Sequence, residues 1–101
     1  MAFVVLNPVA GIVNPVLLRR NIEKRFNDHG WQTRFHLTVV DEDLRAIVQQ
    51  EISGGADLIV AAGGDGTIAE VAAGMVHSPV PLGIIPTGTW NAIARNLMNP
   101  F

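Results

Sequence analysis

Apolar runs separated by helical patterns divide the chain. Ala2 to Leu6, A-F-V-V-L, is a continuous apolar run, the pattern of a strand covered on both faces of a parallel sheet. Asn7-Pro8-Val9-Ala10-Gly11 ends it. Asn14-Pro15 reads as a helix N-cap followed by Pro at the first helical position. Leu18, Ile22 and Phe26 then recur on one face, and Gly30 closes that helix. Trp31 to Val40 alternates loosely and carries Trp, Thr, Phe and Val, which predicts a second strand. Asp41-Glu42-Asp43 sets three carboxylates where a first helical turn is expected, a place the helix dipole favours. Leu44, Ile47, Val48 and Ile52 supply the buried face of that helix, and Ser53-Gly54-Gly55 closes it.

Asp57 to Ala62 is the third strand, and Gly63-Gly64-Asp65-Gly66 breaks it. From Thr67 a helix is predicted with Ile68, Val71, Ala72 and Met75 on its apolar face. Thr67 and Glu70 have the T-x-x-E spacing of a capping box. Ser78 to Pro81 is a loop, Leu82 to Ile85 a fourth strand, and Pro86-Thr87-Gly88-Thr89 a second turn. A last helix follows with Ile93, Ala94 and Leu97 on one face, stopped by Asn99-Pro100. The order βαβαβαβα with short connections predicts an α/β fold: one parallel sheet, right-handed crossovers, helices on both faces.

Composition narrows the function classes. Apolar residues make up 49% and charged ones 16% of the 101 residues, a globular composition in a single domain. A net charge of −2 gives no support for nucleic acid or for strong attachment to anionic lipid. With no Cys, disulfides and thiolate metal sites are excluded and a reducing compartment is the default. No apolar run approaches the ~20 residues of a membrane span, so the expected location is cytoplasmic. His29, His36 and His77 stand at no ligand-like spacing and are expected on the surface or in a strand.

The chemistry concentrates in turns that follow strands. A doubly wound sheet binds ligands outside the carboxyl ends of its strands. Four turns (Asn7 to Gly11, Val39 to Asp41, Gly63 to Thr67, Pro86 to Thr89) should gather there and bring Asn7, Thr38, Asp65, Thr67, Thr87, Thr89 and Asn91 together. Strand, glycine turn and helix N-terminus make an anion site: first-turn N–H groups lack intrahelical partners and carry partial positive charge. Glycines admit a phosphate to that backbone and permit φ > 0. Asp65 would repel a phosphate unless a divalent cation lies between them or the carboxylate meets a substrate hydroxyl. Thr87-Gly88-Thr89 repeats the same chemistry one strand further on. Singly, several of these residues have plainer roles. Asn7-Pro8 is a common turn opener, Thr38 an ordinary strand residue, Trp90 an anchor for the last helix as readily as a stacking platform, and Arg95 a surface cation.

In combination the motifs resemble a family. Gly63-Gly64-Asp65-Gly66-Thr67 looks like the G-G-D-G-T signature shared by diacylglycerol, sphingosine and NAD kinases. Pro81 to Leu97 is similar to the P-L-G-x-x-P-x-G-T-x-N-x-x-A-R-x-L segment of the diacylglycerol kinase catalytic domain, which NAD kinases lack. Asn7-Pro8-Val9-Ala10-Gly11 resembles that domain's N-P-x-S/A-G opening, and Thr38 falls where it carries a Thr. The resemblance implies a Rossmann-like nucleotide domain, here residues 1–101, whose β-rich C-terminal partner domain is absent from this chain.

It further implies that Asn7, Thr38, Gly63, Gly64, Asp65, Gly66, Thr67 and Thr89 contact ATP, while Gly88 and Asn91 shape the second turn. Asp65 takes the catalytic and metal role, acting through Mg²⁺ or holding the phosphate site in register. The implied activity is transfer of the ATP γ-phosphate to a lipid hydroxyl, with the base and the lipid site in the second domain. The 101 residues alone are then expected to be inactive, with room for peripheral membrane contact and self-association. Ala10, Ala69, Trp90 and Ala92 depart from the commoner family residues and bear on the substrate. A competing expectation is a non-catalytic module that binds ATP or ADP without turnover. A dinucleotide-binding domain also has a loose match in Gly64-x-Gly66-x-x-Ala69, but Asp65 lies inside the turn and no acid follows the next strand to take a ribose hydroxyl.

Overall fold

The computed structural model describes residues 1–8 and 14–86. Over them the elements are β1 (Ala2–Leu6), α1 (Pro15–Asp28), β2 (Thr33–Leu37), α2 (Leu44–Ser53), β3 (Leu58–Gly63), α3 (Asp65–Gly74) and β4 (Leu82–Pro86). The strands form one sheet of order β2-β1-β3-β4, parallel at every pairing. The α/β architecture is the one the βα alternation predicts. The helix expected around Ile93, and the turn residues from Thr87 onward, lie outside the described residues.

Central position explains the continuous apolar strands. β1 is buried along its whole length between β2 and β3. Phe3, Val5, Ile59 and Ala61 face α2 and α3, where they meet Leu44, Val48, Val71 and Met75. Val4, Leu6, Val60 and Ala62 face α1, through Leu18 and Ile22 with Phe26 partly buried beside them. Helices therefore cover both faces. α2 and α3 approach each other closely at Gly74, where an added Cβ would stand 2.9 Å from the Arg45 carbonyl oxygen. The opening of α1 is as predicted: Asn14 Oδ1 accepts from the Val16 and Leu17 N–H groups at 3.0 and 3.3 Å. Gly30 follows its C-terminus with φ +80, a conformation glycine adopts without strain.

Four boundaries and faces differ from the sequence pattern. β2 runs only from Thr33 to Leu37, not from Trp31 to Val40. Trp31 belongs instead to the end of α1, its N–H donating to the Phe26 carbonyl at 2.9 Å and its ring edge-on to Phe26. α2 starts at Leu44, so Asp41, Glu42 and Asp43 precede it, and only Asp43 serves it, accepting from the Ala46 N–H at 3.1 Å. α3 starts at Asp65, two residues before the expected Thr67, with Gly64 as an extended N-cap and no side-chain capping bond. The T-x-x-E box is thus not formed: Thr67 is the third helical residue and its hydroxyl is engaged elsewhere. Finally, Ala72 is exposed, and the buried stripe of α3 runs through Val71, Gly74 and Met75 because α2 packs against Gly74.

A candidate phosphate-binding site at the sheet's switch point

β1, β2 and β3 end level with one another. Leu6 pairs with Leu37 on one side and with Ala62 on the other. The residues that follow stay in line: the Thr38 N–H donates to the Leu6 carbonyl at 3.0 Å and the Asn7 N–H to the Ala62 carbonyl at 2.9 Å. From β1 the chain crosses on the α1 face to β2, and from β2 it crosses on the α2 face to β3. The crevice between β1 and β3 is therefore the topological switch point, where open α/β sheets bind ligands.

Asn7 and the third residue of α3 meet over that crevice. Asn7 Nδ2 donates to Thr67 Oγ1 at 3.1 Å. Gly63 makes this approach geometrically available, since a Cβ there would stand 2.8 Å from Thr67 Cβ and 3.0 Å from Thr67 Oγ1. Gly64 and Gly66 are different. Among the described residues, an added Cβ at either would find nothing within 4 Å, and neither has a positive φ. The φ > 0 allowed by the sequence pattern is not used in this turn. No packing partner and no backbone strain calls for glycine at these two positions. What the two glycines leave is open space above the N-terminus of α3, the room a phosphate needs to reach first-turn N–H groups. Asp65, at the first helical position, is exposed beside it.

The opposite wall comes from the β2–α2 turn. Thr38, Val39, Val40, Asp41, Glu42 and Leu44 line a hollow together with Asn7, Thr67 and Glu70. Val39 and Val40 are 65% and 88% exposed. Asp41 has φ 67, a left-handed conformation that Asp tolerates better than most residues. Glu42 is held at the base of the turn: its carboxylate accepts from the Val39 N–H at 2.8 Å and from His36 Nε2 at 2.8 and 3.0 Å. Among the described residues no Lys or Arg lines the hollow, and three carboxylates do. An anionic ligand here requires a counter-charge. Among the described residues no group of three His, Cys, Asp or Glu is gathered to hold a metal ion by itself. Mg²⁺ commonly takes one or two carboxylates and completes its shell with phosphate oxygens and waters, so a single exposed Asp65 fits that habit.

The structure thus joins Asn7, Thr38, Gly63, Gly64, Asp65, Gly66 and Thr67 at one edge of the sheet, as the strand order predicts. Thr87, Gly88, Thr89 and Asn91, the second predicted turn, lie outside the described residues. Asp57 and Glu51 sit at the far edge, paired with the Met1 amino group at 2.6 Å and with Arg34 at 3.7 Å. Pattern reading missed Glu42 and Glu70. The T-x-x-E pattern predicts Glu70 as a cap partner, yet the same i, i+3 spacing equally places it one turn from Thr67 on the same face of α3. Glu42 has partners only three and six residues upstream, but their bonds close an irregular turn that no helical or strand period marks.

Comparisons with known proteins bear on the family of the chain. The profile of the family described as diacylglycerol kinase catalytic domain matches residues 1–100. The diacylglycerol kinase of Bacillus subtilis is 35% identical over 101 residues, 98% of this chain and 33% of the relative. That of Staphylococcus haemolyticus is 33% identical over 104 residues, 98% of this chain and 31% of the relative. Among solved structures, a diacylglycerol kinase from Bacillus anthracis superposes with a TM-score of 0.66 at 28% identity, covering 96% of this chain and 34% of that one. The chain spans about a third of the length of these relatives.

Proposed function

The chain belongs to the diacylglycerol kinase catalytic domain family, and on that premise we propose that it is the ATP-binding part of a lipid kinase that transfers the γ-phosphate of ATP to a lipid hydroxyl. One observation carries the reading. Among the described residues, Gly64 and Gly66 leave open space over a helix N-terminus at the switch point, flanked by Asn7, Thr38 and Thr67.

In this reading the α3 N-terminus holds the β- and γ-phosphates, and Asp65 is the residue that would hold Mg²⁺. The cation supplies neutralisation of the phosphate charge. Asn7 and Thr67, bonded to each other, keep the β1 and β3 ends at fixed separation, so the phosphates meet a wall already in place. Phosphoryl transfer demands little covalent chemistry from the protein, and positioning of this kind is what it does demand. The described site offers no basic side chain to the phosphates. Turnover therefore rests on groups additional to these. A non-catalytic nucleotide-binding module is the second reading, favoured by the lack of a Lys or Arg among the described residues that line the hollow.

Hydrogen exchange tests the site. Mg·ATP should slow exchange of the Gly64 to Thr67 amides, and adenosine should not. Equal protection by the two ligands would remove the phosphate role. Transfer of labelled phosphate to diacylglycerol by these 101 residues alone would exclude the second reading.

A further inference from the structure

We propose that Glu42 is a positioning residue of the nucleotide site, holding the β2–α2 turn in the shape its ligand meets; this rests on the nucleotide reading above. Asp41 has φ 67, a left-handed conformation that Asp visits more readily than most residues. Glu42 closes the turn around it. One carboxylate oxygen accepts from the Val39 N–H at 2.8 Å, closing the turn from the residue after Asp41 back to the residue two before it. Both oxygens lie within 3.0 Å of His36 Nε2, which must be the donor to a carboxylate.

The Glu42 side chain is only 14% exposed. It touches neither the glycine turn nor α3 in any bond the structure shows. His36 ties it to the core instead, because its ring stacks on Phe3 of β1 with centroids 6.2 Å apart. Phe3 is buried, 2% exposed. A continuous chain of contacts therefore runs from the central strand through His36 and Glu42 to the Val39 N–H. Val39 and its neighbours Thr38 and Val40 form the wall of the hollow. The enclosure of Glu42 is compensated by its bonds to His36 and the Val39 N–H, since a buried charge is costly only where hydrogen bonds are missing. The consequence for the ligand is local. β2 lies two strand spacings, roughly 10 Å, from β3. A displaced β2–α2 turn should disturb the part of a nucleotide that extends beyond the phosphates and leave the phosphate seat on α3 alone.

The experiment measures binding of Mg·ADP and of Mg·tripolyphosphate to the 101-residue chain by calorimetry. Glu42→Ala should weaken Mg·ADP about tenfold, the scale of one lost charge-assisted hydrogen bond, and leave tripolyphosphate within about twofold. Exchange of the Val39 amide should rise. Glu42→Gln keeps an oxygen for the Val39 and His36 donors and should restore Mg·ADP binding to within about threefold of the unaltered chain. His36→Ala removes one of the two holds and covers the case in which Glu42→Ala does not fold. It should cost about two- to fivefold for Mg·ADP alone. Unchanged Mg·ADP affinity in Glu42→Ala, or in His36→Ala where that variant stands in, overturns the proposal. So does an equal loss of both ligands, which would make Glu42 a general brace of the fold. If the unaltered chain binds tripolyphosphate but not Mg·ADP, or binds neither, the nucleotide reading itself fails and this inference with it.

Discussion

Gly66→Ala should make the protein more stable and a poorer nucleotide binder. Gly66 is the second residue of α3, and no described residue has an atom near the position an added Cβ would take. Ala is favoured over Gly within a helix by about 0.5–1 kcal/mol, partly because it narrows the unfolded ensemble. For a domain of this size that corresponds to a rise in Tm of about 2–8 °C. Helical Cβ atoms tilt toward the N-terminus, so this methyl group would lean over the glycine turn where the phosphate is placed. Losing close approach to even one first-turn N–H should cost about 1.4 kcal/mol or more, a tenfold or greater loss of Mg·ADP affinity. Urea denaturation followed by circular dichroism gives the first quantity and calorimetry the second. Gly63→Ala is the internal control. Its Cβ would collide with Thr67 Cβ at 2.8 Å, so stability and binding should fall together. If Gly66→Ala binds Mg·ADP as well as the unaltered chain, the space above α3 is not a phosphate seat. If it loses stability, the fold needs a glycine there and the reasoning from open space is wrong.

Two further outcomes follow from neighbouring residues. Asp65→Asn should weaken Mg·ATP binding by about tenfold while metal-free ADP binding stays unchanged or improves slightly as repulsion falls; parallel loss of both in titrations with and without Mg²⁺ would make Asp65 an organiser of the turn. Gly74→Ala should cost about 1–3 kcal/mol in urea denaturation, because its Cβ would press on the Arg45 carbonyl at 2.9 Å and on Val48 Cβ at 3.1 Å across the α2–α3 contact. A stability change near zero would show that the two helices part at little expense.

The order of the described elements and the meeting of Asn7, Thr38 and Gly63 at one sheet edge were legible in the chain because both depend on local chemistry. A-F-V-V-L has the pattern of a covered central strand, and Asn14-Pro15 can start a helix without help from distant residues. Once the elements alternate as β and α, handedness and sheet geometry bring Asn7, Thr38 and Gly63 to one edge. The fine placement was not local. Thr67 and Glu70 have the letters of a capping box, but a box needs Thr67 outside the helix, and Asn7, sixty residues earlier, takes its hydroxyl. Asp41 to Asp43 look like a first helical turn, yet His36 and the Val39 N–H draw Glu42 away and leave Asp43 as the cap. The glycines show the same division. Sequence marks Gly63, Gly64 and Gly66 as one breaker cluster, whereas packing separates them, with one glycine required by Thr67 and two facing open space. Propensity and period are properties of neighbours along the chain; competition for a hydrogen-bond partner or for room is settled only when the strands are side by side.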